Sequence, residues 1–227
     1  MFNNLLSFWK GKDFLTEVFG EFKEMLEAAQ GMYEAACEQL LGENTHPGLK
    51  DNIYAADKKI NSLQKSIRRR IVEHLTLQPT IDINVCLLLM SVVKDAERLG
   101  DYVKNLYGVS ELLEKPIDME GFSSFFDGMN ESILCFFERT KEAFIESENK
   151  EAILSFGQER EIAKRCDEIV KELAAGSLTV NEAVCYTLIV RYFKRLSAHL
   201  GNIATSVVLP LSDLDYFDEP KLNQADE

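Results

Sequence analysis

Proline and glycine are scarce in this sequence, with 5 and 12 of 227 residues. So little punctuation argues against a many-turned sheet protein and favours long helices. Histidine is rarer still. His46, His74 and His199 stand far apart, and none has a Ser or Cys partner at a spacing that suggests a catalytic triad. No Gly-rich phosphate loop, Walker motif or dinucleotide fingerprint occurs. Nothing looks built for general acid–base work, so no enzymatic activity is expected. The five cysteines, Cys37, Cys86, Cys135, Cys166 and Cys185, include no C-x-x-C pair. Their odd number argues against a disulfide framework or zinc ribbon, and most have apolar neighbours at helical spacing. They read as buried thiols of a reducing compartment.

Long hydrophobic runs are absent too. The longest, Val85 to Met90 with Val92 and Val93 after Ser91, is about half of a membrane span. The N-terminal Met1 to Trp9 is too short and interrupted for a secretory signal. A soluble, cytoplasmic protein is expected, reaching a membrane only through partners. Net charge is −13, which opposes general nucleic-acid binding. Arg68-Arg69-Arg70 is the one basic cluster, read as a solvated helix face or a local docking patch.

Against these absences, 46% of residues are hydrophobic, and they recur at three- and four-residue spacing almost throughout. The spacing predicts an all-α chain of six long helices. They run roughly over 13–41, 49–77, 80–113, 120–148, 150–174 and 179–208. Gly42 with Pro47-Gly48, Gln78-Pro79, Pro116, the polar stretch 147–150 and Ala175-Gly176-Ser177 separate them. Val85, Leu89, Val92, Ala96, Leu99, Val103 and Leu106 form one seam on the third helix. Leu188, Tyr192, Leu196, Leu200, Ile203 and Val207 form its counterpart on the sixth. Phe14, Val18, Phe19 and Phe22 exceed what one seam needs on the first helix, marking either a dimer surface or core.

The two halves repeat. A shift of 97 residues lays the third helix on the sixth, with Asn84 on Asn181, Arg98 on Arg195, Leu99 on Leu196 and Asn105 on Asn202. With a slightly different shift Asp57 meets Glu159 and Ile60 meets Ile162. Two tandem, related three-helix bundles are the simplest reading, over residues 1–115 and 116–210. An acidic tail over 211–227 is expected to be poorly ordered.

Polar residues on these helices hold the candidate chemistry. Glu97 and Asp101 are four apart, so both carboxylates lie on one helix face. Asp57 and Asn61 are likewise four apart on the second helix. If the second and third helices pack antiparallel, the four groups converge. Repelling carboxylates are relieved by a bound cation or by a facing basic group. Hard oxygen ligands suit Fe, Mn, Mg or Ca rather than zinc. The plain alternative is a solvated helix face.

Glu97-Arg98-Leu99-Gly100-Asp101 resembles the Glu/Asp-x-x-x-Asp signature of the PhoU family. Asp57-Lys58-Lys59-Ile60-Asn61 resembles that family's second-helix motif. Leu77-Gln78-Pro79 with Asp82 resembles its turn before the third helix, and Asn105 also matches. The resemblance is strong over about 50–107 and weaker over about 120–208. It implies two three-helix bundles in a cytoplasmic, often dimeric regulator of phosphate uptake and phosphate-starvation signalling. The implied partners are the high-affinity phosphate transporter and the phosphate-sensing histidine kinase. It further implies iron or another divalent metal, held here by Glu97 and Asp101 with Asp57 beside them; Asn61, a weaker ligand than a carboxylate, completes the candidate set.

The second half departs from the signature. Lys194 and Ala198 stand where its two acidic residues belong, so at most one metal site is expected, in the first half. Arg191, Lys194 and Arg195 are either a drifted face or a basic surface for an acidic partner. Two rival functions stand beside the regulator: an accessory protein of a low-affinity phosphate transporter, and a metal-binding or storage helical bundle. The Glu-x-x-His pairs that ferritin-like sites need are missing.

Overall fold

The computed structural model describes residues 13–42, 47–115, 117 and 125–215. Six α-helices span them: α1 Asp13–Leu40, α2 Leu49–Leu77, α3 Ile83–Ser110, α4 Met129–Phe144, α5 Asn149–Ala175 and α6 Val180–Thr205. A short 3-10 turn, Leu211–Asp213, follows. No strand occurs among the described residues. None of their helices is long and apolar enough to cross a membrane.

The helix ends follow local chemistry. Thr179 caps α6 by accepting from the Glu182 backbone N–H, while the Glu182 carboxylate accepts from the Thr179 N–H, a reciprocal capping box. α3 begins at Asp82, whose φ of 61° turns the chain sharply after Pro79. The fourth helix is shorter than its periodicity suggests. Gly128, at φ 69°, starts it without steric cost, and Ser147, at φ 61°, separates it from α5. Residues 120–124 of the expected span lie outside the described residues, as do His46 and residues 216–227 of the acidic tail. Within the tail, residues 211–213 form the 3-10 turn, which packs on α3, and Asp215 lies 3.5 Å from Lys94.

α1, α2 and α3 pack on one another, and so do α4, α5 and α6. The two three-helix bundles meet chiefly where α3 crosses α6, with a smaller contact of α1 on α4. Every apolar residue of the α3 seam is buried, as are Leu196, Leu200 and Ile203 on α6 and Val207 just beyond its end. Burying each such side chain contributes about 1.5–3 kcal/mol, enough to override weak local preferences. The surplus aromatics of α1 are used inside the chain. Phe22 and Phe19 lie 4.7 and 5.7 Å from the Phe144 ring, and Phe14 stacks on His74 at 4.1 Å.

Across the seam α3 and α6 run antiparallel. Asp95 faces His199 and Asn202, while Tyr102 faces Tyr192 and His199. Shifting by 97 residues carries Tyr102 to His199 and Asp95 to Tyr192. The Tyr102–Tyr192 ring pair therefore corresponds to the His199–Asp95 hydrogen bond, as an approximate two-fold relation between the bundles requires. One half of this correspondence is a tilted aromatic contact; the other is a part-buried polar one.

Candidate functional site: a lysine-bridged acidic face

α2 and α3 cross closely at Gly100. A Cβ there would stand 2.9 Å from Ile60 Cδ1 and 3.7 Å from Asp57 Oδ1. This approach brings Asp57, buried on α2, against the acidic face of α3. Between them sits Lys104. Its Nζ donates to Asp57 Oδ2 at 3.0 Å and to Asp101 Oδ1 at 3.1 Å. Arg98 donates to the other Asp101 oxygen at 3.2 Å. Burial works to deprotonate Lys104, but its hydrogen bonds and charge pairing with Asp57 and Asp101 outweigh that and raise its pKa.

The structure thus brings three of the four sequence-predicted groups to one place. Asp57 and Asp101 share a lysine. Glu97 stands beside them, its side chain 3.8 Å from Arg98. Desolvation first, and then the charge of Asp101, push the Glu97 carboxyl above its usual range, while Arg98 and Arg68 oppose the rise. Asn61 is partly buried on α2 and makes no hydrogen bond to the cluster among the described residues. Lys94, which spacing puts near this face, turns instead to Asp215. The Arg68–Arg70 run divides in function: Arg70 binds Glu17 and Glu21 of α1, Arg69 lies 3.9 Å from Glu73, and only Arg68 acts on the site.

A metal ion needs several anionic or imidazole donors around one point. The described residues hold no group of three or more His, Cys, Asp and Glu side chains that could do this. The point between Asp57 and Asp101 already contains an ammonium. A facing basic group relieves the repulsion, and this donor set as folded does not fit a resident metal. Sequence reasoning missed Lys104. The available signal was its spacing, three residues after Asp101 and so one turn further along the same face.

The corresponding face of the second bundle is different. Lys194 donates to Asp167 at 2.6 Å. Glu159, matched to Asp57, is buried on α5 and borders a cleft with Arg191, Lys194, Arg195 and Ala198 of α6. Four cysteines are buried and Cys135 is exposed. Burial pushes the Cys37 and Cys166 thiols up to about 12 and Cys86 to about 11, so they are poor nucleophiles.

Comparison with known proteins places this geometry. The family model described as the PhoU domain matches residues 22–108, which contain the whole lysine-bridged face. The phosphate-specific transport system accessory protein PhoU homolog of Caulobacter vibrioides is 21% identical over 182 residues, 77% of this chain and 79% of that protein. The crystal structure of PhoU from Pseudomonas aeruginosa superposes with a TM-score of 0.77 at 18% identity, covering 86% of this chain and 95% of that one. The phosphate transport system regulatory protein PhoU from Streptococcus pneumoniae superposes with a TM-score of 0.69 at 20% identity, covering 92% and 100%. This chain thus carries a PhoU domain over residues 22–108, is similar to a PhoU homolog along most of its length, and shares its fold with two PhoU proteins.

Proposed function

We propose that this protein is a non-enzymatic regulator of phosphate uptake and phosphate-starvation signalling. It acts through helix-face contacts with a phosphate transporter component or a phosphate-sensing kinase. The observation that carries this reading is the PhoU domain over residues 22–108, together with similarity to a phosphate-specific transport accessory protein. The nature of the polar faces supports it. On α2 and α3 the charged groups neutralise one another, and neither nucleophile–base pair nor open metal position is offered. A regulator of this kind needs only different affinities for two states of its partner. Its two bundles present similar but unequal faces for that purpose.

The test is genetic and biochemical together. Deleting the gene is expected to raise expression of a phosphate-starvation reporter in phosphate-rich medium, with reversal by the wild-type copy. Cross-linking in the same cells is expected to recover a high-affinity transporter subunit or the sensor kinase. Unchanged reporter activity together with recovery of neither would sink the reading. Recovery of a low-affinity phosphate transporter alone would replace it with the accessory role for that system.

A further inference from the structure

The cleft between α5 and α6 encloses about 570 Å3. Its α6 wall carries Arg191, Lys194 and Arg195, and its α5 wall carries Glu159 and Asp167. Val170, 41% exposed, supplies apolar surface on the α5 wall, and the buried Val190 also borders the cleft. The cleft stands on the α5–α6 face that corresponds to the lysine-bridged face of α2 and α3. The charge pattern has changed sign. Lys194 and Ala198 replace the carboxylates of Glu97 and Asp101, and Gly201 stands where Lys104 does. Ala198, matched to Asp101, borders the cleft.

Two guanidinium groups are left over. Lys194 is held by Asp167. Arg191 and Arg195, one helical turn apart, are exposed and form no hydrogen bond or ion pair among the described residues. Carboxylates outnumber cations 38 to 25 in this chain, so unpaired neighbouring arginines beside a cleft are not explained by a shortage of partners. A small multivalent anion fits the cleft poorly. Its cations line one wall only, and Asp167 and Glu159 on the opposite wall repel it. The volume suits several side chains rather than one ion. An acidic segment with an apolar residue satisfies every feature, because its carboxylates can face α6 while its apolar side chain covers Val170. Arginine forks pair well with carboxylates in such settings.

We propose that the α5–α6 cleft is a docking site for an acidic, amphipathic segment of a partner protein, gripped by Arg191 and Arg195. This rests on the reading of the protein as one that works through partner contacts. The probe is a fluorescein-labelled synthetic peptide with Glu and Leu at helical spacing, titrated into the full chain at low salt. Binding is expected, weakening as salt rises. The double variant R191E/R195E is expected to bind roughly tenfold or more weakly. The same peptide with Lys in place of Glu is expected to prefer that variant. Both exposed positions tolerate substitution, and an unchanged Tm confirms the fold.

No binding of the acidic peptide, or equal binding to the double variant, overturns the proposal. Displacement of the peptide by equimolar inorganic phosphate assigns the cleft to a small anion and also overturns it. Self-association abolished by R191E/R195E assigns it to a second copy. A truncation after Asp215 that tightens peptide binding assigns it to the chain's own acidic end; either result excludes the external partner. Overlapping peptides from the cytoplasmic segments of the phosphate transporter and sensor kinase form a separate arm. If the synthetic peptide binds through the arginines while the reporter is unchanged and neither cross-linking nor this peptide arm recovers a transporter or kinase, the docking site stands and the regulator reading fails.

Discussion

The Lys104 ammonium lies 3.0 Å from Asp57 on α2 and 3.1 Å from Asp101 on its own helix. It joins two helices through a charge that would otherwise be missing from an acidic face. Replacing it with methionine leaves a buried carboxylate without its cation. K104M is therefore expected to lose about 1.5–3 kcal/mol of stability, read as a lower urea midpoint. Because the Lys104 pKa is raised by folding, its contribution is fully present below the ordinary lysine value. It is lost as pH climbs through the raised one. The K104M deficit should accordingly hold from neutral pH to about 10 and shrink above that.

The same ammonium gives an expectation for metals. A divalent cation added to wild-type protein must displace Lys104 to reach both carboxylates. Titration with Mn2+ or Fe2+ is expected to leave the Tm unchanged, since a ligand that binds only the native state would raise it. A saturable rise abolished by D57N/D101N would restore the metal site that the family resemblance implies.

Glu97 carries a cost at neutral pH. Its folded pKa is raised, so between the unfolded and folded values the native state holds more protons and stability falls as pH rises. E97Q is expected to be more stable than wild type at pH 7, by up to about 1 kcal/mol after allowance for solvent screening. The difference should vanish in acid, where both side chains are neutral. Urea midpoints at pH 4 and pH 7 check the sign.

Asp95 is fully buried at the seam between the bundles, and its Oδ1 meets His199 Nδ1 at 2.7 Å and Asn202 Nδ2 at 3.2 Å. Its other oxygen has no hydrogen-bond partner. D95A strands His199 and Asn202 and is expected to cost about 1–3 kcal/mol. D95N, which keeps an acceptor, should cost less. A double-mutant cycle with H199A is expected to show coupling of about 0.5 kcal/mol or more.

The thiols make a simpler case. Cys135 alone is exposed, while burial raises the pKa of Cys37, Cys86, Cys166 and Cys185. Native protein is expected to react with DTNB at one thiol quickly, and C135S should abolish that phase. Denaturation should release four more.

How much of this was legible beforehand depends on the range of the interactions involved. The α6 start was readable because Thr179 and Glu182 are three residues apart and cap one another. The shortened α4 was not, because Ser147 adopts a left-handed conformation that its residue type does not announce. Glu97 and Asp101 are visible as a pair one turn apart, and Asp57 as their partner by spacing on an antiparallel neighbour and by resemblance. The same spacing puts Asn61 with them, yet among the described residues the packed helices leave it unbonded to the cluster. The sign change in the second half was visible at Lys194 and Ala198. That these residues border a cleft was not, since a cleft is made by the spacing between two helices.

By itself, the sequence determined the six helices, their apolar faces and the inequality of the two halves. Periodicity, caps and residue identity act over a few positions and need no partner. Only the tertiary structure decided what the polar residues meet. Lys104 and Asp57 are 47 residues apart, and His199 and Asp95 are 104 apart. Whether such groups touch depends on the register at which whole helices cross, set by burial of Ile60 against Gly100 and of the α3 seam against α6. That packing put a lysine, rather than an open cation position, between the carboxylates of the first bundle. In the second it left two arginines unpaired among the described residues.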